Sequence, residues 1–316
     1  MSVRWLLGFS PRWLPPLLVC VVVALCYLAA HMATTGGLIK STFSPRQVFG
    51  TVLMFSLLPG YLLWSMSELR HRTLLYTGEL EGTLLAEDIA RVQHQADRFP
   101  TVGWLLVLVG GWWGMEQNSY LIDRLLSGVG NWFDYVFVGS NVLVWALVAV
   151  LFCWRIPLSV TLSRGGMRAN LDLYQLDRVK PLTRIALVDL LVVAGAMAFM
   201  PLQSLDAEFR LVNYQAGVVA GIPGAILFFF LPLFGISKQM RQAKRTRLAE
   251  LQRVIEQVPR SDIVRLEQVS AHISRIRSIS SVPLDLSLLW RIFVYVIIPP
   301  IAWVFAALVE NLVDQF

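Results

Sequence analysis

Seven apolar stretches punctuate the chain, at residues 15–32, 48–67, 101–115, 135–154, 185–202, 216–236 and 286–309, with polar segments between them. A hydrocarbon core about 30 Å thick takes roughly 20 residues of helix to cross. Helix is the form expected there, because it satisfies every backbone N–H and C=O within one segment. The pattern therefore predicts an all-α, polytopic integral membrane protein with about seven transmembrane helices. The third stretch is the shortest and ends in Gly110, Gly111, Trp112, Trp113 and Gly114. It is expected to stand with little tilt, to thin the bilayer locally, or to re-enter.

The long polar segment before the last stretch has a period of its own. Leu248, Leu251, Ile255 and Val258 recur at three- and four-residue steps, Pro259, Arg260, Ser261 and Asp262 interrupt the pattern, and Leu266, Val269, Ile273 and Ile276 resume it. Such spacing puts the apolar residues on one narrow face of each of two helices, and the Ser-Asp pair is a helix-starting signal. Three regions follow: a membrane domain of six spans at 1–236, an amphipathic helical hairpin at 237–284, and a final transmembrane helix at 285–316. A seam this narrow calls for a partner, whether the other arm, the segment 83–97 or the same hairpin in another subunit.

Composition agrees with a bilayer as the solvent. Hydrophobic residues make up 56% of the chain and charged ones 15%, against about 25% charged in a soluble domain. Mean hydropathy is +0.61. The charge is also sorted. With the N-terminus inside, 2 basic residues fall in the tail, 4 in 68–100, 6 in 155–184 and 11 in 238–291, together 23 of the 27 Lys and Arg. Short basic loops resist translocation, so this orientation is expected, with the C-terminus outside and the protein in a bacterial inner (cytoplasmic) membrane. Trp13, Trp64, Trp132, Trp154 and Trp290 sit near span ends, where an amphipathic ring suits the headgroup level. The first stretch reads as a retained anchor rather than a cleaved signal, since no pair of small residues follows it at cleavage spacing. Cys20, Cys26 and Cys153 all lie in apolar windows, which argues against a disulfide framework or a thiolate zinc site.

Few groups inside the apolar windows can carry chemistry. Asp189 lies about 7 Å into the fifth stretch past Arg184, where its charge is costly unless paired, and Arg291 lies at a comparable depth in the seventh. The two are expected to pair, or else Arg291 snorkels while Asp189 meets water. Pro299 and Pro300, near midplane, free the carbonyls of Tyr295 and Val296 and predict a bend. Glu310 and Asn311 would stand at an acidic outer mouth that favours cations. Small residues at Gly110-x-x-x-Gly114, Gly217-x-x-x-Gly221 and Ala302-x-x-x-Ala306 allow close helix approach, within or between subunits. On the basic side, Arg164, Arg168, Arg241, Lys244, Arg245, Arg247 and Arg253 are candidates for an anionic ligand or lipid; headgroup contact is the plain explanation, and docking of an anionic regulator the sharper one. Glu68-x-x-His71 has half of a di-iron motif whose second half is missing, so no metal and no cofactor are expected. No nucleophile motif marks catalytic residues either, and no enzyme activity is expected.

The plan of seven helices, an inside N-terminus and a long helical stretch before the last span is similar in topology to the insect odorant and gustatory receptor channels, without a shared residue motif. That similarity implies a tetramer lined by the last helix. The reading is a homo-oligomeric, cation-leaning ion channel or pore, with the bilayer and an anionic ligand or cytoplasmic protein as partners. The alternatives are a non-conducting scaffold that recruits a cytoplasmic protein, or a carrier for a small or lipid-like solute. A channel should show discrete conductance in a planar bilayer, altered by Pro299→Ala/Pro300→Ala and by Glu310→Gln. Silence across salts and voltages would remove that reading.

Overall fold

The computed structural model describes residues 12–33, 49–101, 103–128, 131–171, 176–205, 212–259, 262–279 and 290. All regular structure among them is helical, apart from an isolated bridge between Glu81 and Leu84. The helices are α1 (Leu14–Ala33), α2 (Phe49–Gly78), α3 (Ala86–Ala96), α4 (Gly103–Glu116), α5 (Ser119–Leu126), α6 (Trp132–Met167), α7 (Lys180–Met197), α8 (Val212–Gln257) and α9 (Ile263–Ser278). Short 3-10 segments, Leu176–Val179 and Met200–Leu205, flank α7.

Five helical segments are long and apolar enough to cross a membrane: Leu14–Ala33, Phe49–Gly78, Trp132–Met167, Asp177–Gln203 and Val219–Gln257. They cover the first, second, fourth, fifth and sixth apolar stretches, and they make the protein a helical one built for a bilayer. The third stretch forms α4, whose 14 residues reach about 21 Å, short of a hydrocarbon core. Of the seventh only Trp290 is described, so the helices shown to be long enough number five.

The bundle is organised around α6, which packs against α1, α2, α3, α4, α5 and α8, while α7 packs on α2 and α8. Its start is fixed by a capping box: Asn131 Oδ1 accepts from the Asp134 N–H at 2.9 Å and Asp134 Oδ2 accepts from the Asn131 N–H at 3.2 Å. Both residues are buried. Glycines set the closest approaches. A Cβ on Gly110 would meet Ala149 and the Trp145 carbonyl, and one on Gly114 would meet the Val142 backbone, which is why α4 can lie against α6. On α8, Gly217 and Gly221 accommodate Met200 and Met197, and Gly224 accommodates Phe152. The small-residue spacings of the third and sixth stretches thus serve packing within one subunit. Ala302 and Ala306 lie outside the described residues.

Segments expected on the basic side gather at one end of the bundle. Arg12 Nη2 lies 3.4 Å from His71 Nδ1, Arg184 donates to Glu79 at 3.3 Å, the Asn170 N–H donates to the Thr83 carbonyl at 3.1 Å and Gln239 donates to the Ala169 carbonyl at 3.4 Å. The amphipathic α3 closes this end, its Ile89, Val92 and Ala96 buried and Asp97 held by Arg70 at 2.6 Å.

The sixth stretch does not stop where its apolar character stops. The expected boundary at 236/237 falls inside α8, which continues unbroken through Gln257. The break appears at the position that Pro259 and Asp262 predict: α9 begins there, with Asp262 Oδ1 accepting from the Arg265 N–H at 3.2 Å, and it packs back on α8.

Where α8 leaves the bundle it crosses α6 at its tightest point. The Gly235 N–H donates to Ser163 Oγ at 3.1 Å, and a Cβ on Gly235 would lie 1.6 Å from the Ser163 carbonyl oxygen. Gly235→Ala must therefore push two helix backbones apart, a change that costs about 1–3 kcal/mol or more. It should lower the midpoint of thermal unfolding in nanodiscs by several degrees, while Gly139→Ala, with open space at its Cβ, should leave it within a degree or two.

Candidate functional site

Two features of the structure are not explained by packing alone. One is a buried ion pair in the bundle, and the other is the basic arm that α8 and α9 extend beyond it.

The ion pair joins Arg155 of α6 to Asp189 of α7. Both side chains are fully buried. Nη2 donates to Oδ2 at 2.8 Å and Nε lies 2.7 Å from Oδ1, a side-on fork, while Nη1 donates to Thr73 Oγ1 of α2 at 2.9 Å. Three spans are thus tied at one point. Helical register puts all three residues on core faces. Leu151, Arg155, Leu158 and Leu162 follow at steps of four, three and four, Ile185, Ala186, Asp189, Leu190 and Val193 form the inner face of α7, and Leu69, Thr73 and Thr77 that of α2. Asp189 stands nine residues, about 14 Å, into α7, and Arg155 twelve residues, about 18 Å, before the end of α6. Nearby on α6, Trp154 Nε1 and Ser159 Oγ are also buried and have no hydrogen-bond partner among the described residues.

Asp189 is expected to need a partner, and among the described residues that partner is Arg155; the expected pairing with Arg291 falls outside the described residues. The carboxylate is closed off with a guanidinium against it, so the alternative of water around Asp189 is not what the described residues show. Arg291, Tyr295, Pro299, Pro300, Glu310 and Asn311 lie outside the described residues. Arg155 is hidden in the sequence because the fourth apolar window ends at the charge itself and Pro157 follows two residues later. The helix nevertheless runs through Pro157 to Met167, and the leucines at 151, 158 and 162 were the available signal.

The basic candidates divide by location. Arg164 and Arg168 are exposed at the end of α6, Arg168 lying 4.0 Å from the buried carboxylate of Asp88. Arg241, Arg245, Arg247 and Arg253 are exposed along the outer part of α8, with Arg247 donating to Glu250 at 2.8 Å. Lys244 is structural: its Nζ donates to the carbonyls of Arg277 and Ile279, each at 2.8 Å, fastening the end of α9 to α8. Glu68 and His71, the half motif, are engaged by Arg72 and Arg12.

An open groove of about 620 Å³ lies between α4, α6 and α8, walled by Leu106, Trp113, Trp145, Phe152, Pro223 and Leu227 among others. No charged side chain lines it, so it suits an acyl chain and offers nothing to coordinate a cation.

Compared with family models, with curated proteins and with solved structures, the chain matches none.

Removing one member of the buried pair leaves an uncompensated charge and costs about 3–5 kcal/mol, whereas replacing both by apolar residues of similar volume is near neutral. Arg155→Met and Asp189→Leu should each lower the yield and melting temperature of monodisperse protein sharply, and the double variant should recover most of the loss. An exchange, Arg155→Asp with Asp189→Arg, should recover part. If the double variant is worse than either single one, the pair is not what holds these helices.

Proposed function

We propose that this chain is a membrane-embedded docking protein whose basic arm captures an anionic partner on the cytoplasmic side. The observation that carries the reading is the continuity of α8. Arg253 lies 15 residues beyond Lys238 in one unbroken helix, about 22 Å farther along its axis. Even at a tilt of 40°, the upper end for membrane helices, that leaves roughly 17 Å, against a Debye length of about 8 Å at physiological ionic strength. Headgroups account for Lys238 and Arg241; they do not account for Arg247, Arg253 and Arg265. Between residues 238 and 279 the sequence holds ten Lys and Arg against four Asp and Glu, and such a surplus raises the local concentration of anionic partners.

The rest of the fold suits a scaffold. α8 enters the bundle through the Gly235–Ser163 crossing, and the Arg155–Asp189–Thr73 cluster fastens three other spans, so the arm stands on a firm base. A channel remains the second reading, favoured by the Pro299–Pro300 pair and the acidic Glu310 of the last stretch. Conductance in a planar bilayer, altered by Pro299→Ala/Pro300→Ala and by Glu310→Gln, decides it.

A photo-activated cross-linking residue placed at 253 in the intact protein, in its native membrane, should give a discrete adduct with a soluble protein or other anionic macromolecule. The adduct should fade at least several-fold when Arg247 and Arg265 are both changed to Gln. Adducts with lipid alone would contradict the reading.

A further inference from the structure

Among the described residues the arm is an unfinished bundle. Its seam is closed at the base, where Met240 of α8 and Ile276 of α9 are 1% and 0% exposed. It opens outward: Leu248, Leu251 and Ile255 on α8 and Leu266, Val269 and Ile273 on α9 are only half-buried. Near the tip Val254 is 42% exposed. Two helices bury one side of each seam, and a third is what closes it.

Helical register says what borders the opening. Taking the seam of each helix as the inward direction, Arg247 and Val254 fall along one edge of α8, and Arg265 and His272 fall along the edge of α9 on the same side of the antiparallel pair. The groove between them therefore has an apolar floor, with Arg247, whose guanidinium also donates to Glu250 at 2.8 Å, on one rim and Arg265 on the other. A second copy of the arm would bring the same rims, since ten basic residues stand against four acidic ones in this segment, and like charges at close range oppose that pairing. A nucleic acid would satisfy the rims and leave the leucine, isoleucine and valine floor uncovered. An amphipathic helix with an apolar stripe between two acidic flanks satisfies both, by the mode in which a helix lies in a groove through i, i+3, i+4 and i+7 anchors.

Resting on the reading of the arm as a docking element, we propose that its occupant is an acidic amphipathic helix of a soluble partner, seated between α8 and α9 along the Arg247, Val254 and Arg265 edge to complete a three-helix bundle.

The test uses the full chain in zwitterionic nanodiscs and three synthetic probes: a 21-residue helix with leucines in an a/d stripe and glutamates on both flanks, a scrambled peptide of the same composition, and a single-stranded oligonucleotide. The stripe peptide should bind at least tenfold more tightly than the other two. Arg247→Gln/Arg265→Gln and Val254→Asp should each weaken it about tenfold, and Arg247→Lys/Arg265→Lys should restore most of the affinity, with the melting temperature of the membrane part unchanged throughout. Equal binding of the scrambled peptide would show that charge alone is read and would overturn the proposal, as would tighter binding of the oligonucleotide. Arm-dependent self-association that the stripe peptide does not compete away would assign the groove to a second copy. Absence of peptide binding alongside a discrete cross-linked partner at 253 would sink this inference while leaving the docking reading in place.

Discussion

Arg155 can sit in an apolar bundle only while Asp189 faces it, and that requirement fixes much of the membrane part. A buried guanidinium has five N–H groups to place; here Nη2 donates to the Asp189 carboxylate, Nη1 donates to the Thr73 hydroxyl, and Nε lies against Asp189 Oδ1 at 2.7 Å. Each partner belongs to a different span, so sliding or rotating α6 or α7 by a single residue breaks a charge contact in a medium that cannot screen it, and moving α2 breaks the hydrogen bond to Thr73. Apolar packing sets how tightly the helices associate. The ion pair sets their register, because leucine faces tolerate slippage that a buried charge contact does not.

Close backbone approach supplies the second constraint. Gly110 and Gly114 let α4 lie on α6, and Gly235 lets α8 pass over Ser163. In hydrocarbon there is no hydrophobic drive between helices, so such contacts, with the hydrogen bond from Gly235 to Ser163, carry the association that water would otherwise enforce. The crossing lies just before the basic arm begins, and α8 passes through it without a break. A load applied at Arg253 is thereby delivered to the same helix, α6, that holds the ion pair.

Most of the helices were legible in the sequence, and the departures have physical reasons. Five apolar stretches became helices long enough to cross a bilayer, and Pro259 with Asp262 correctly marked the turn between α8 and α9. The window at 101–115 gave a real helix that is too short. Apolar composition marks where the bilayer ends and not where the helix ends, which is why the expected boundary at 236/237 falls in the middle of α8: Gln239, Met240, Arg241 and Lys244 are good helix formers and nothing there interrupts the backbone. The reverse error hid Arg155, a charge taken for the end of a span when the leucines on either side continue its buried face. Asp189 was recognisable as a group in need of a counter-charge. Which arginine answers it depends on where α6 and α7 stand in the bundle, and a single sequence does not encode that in any local pattern.

A docking arm held clear of the bilayer requires α8 to be one rigid rod from the bundle to the arm. The most direct measurement is the distance between spin labels at positions 234 and 254, both exposed, in a protein whose Cys20, Cys26 and Cys153 have been replaced. Twenty residues of unbroken helix predict a single narrow distribution near 30 Å, unchanged when anionic lipid is added to the nanodisc. A broad or shorter distribution that contracts further on anionic lipid would mean a hinge near Lys238 and an arm lying on the headgroups, and would contradict the account.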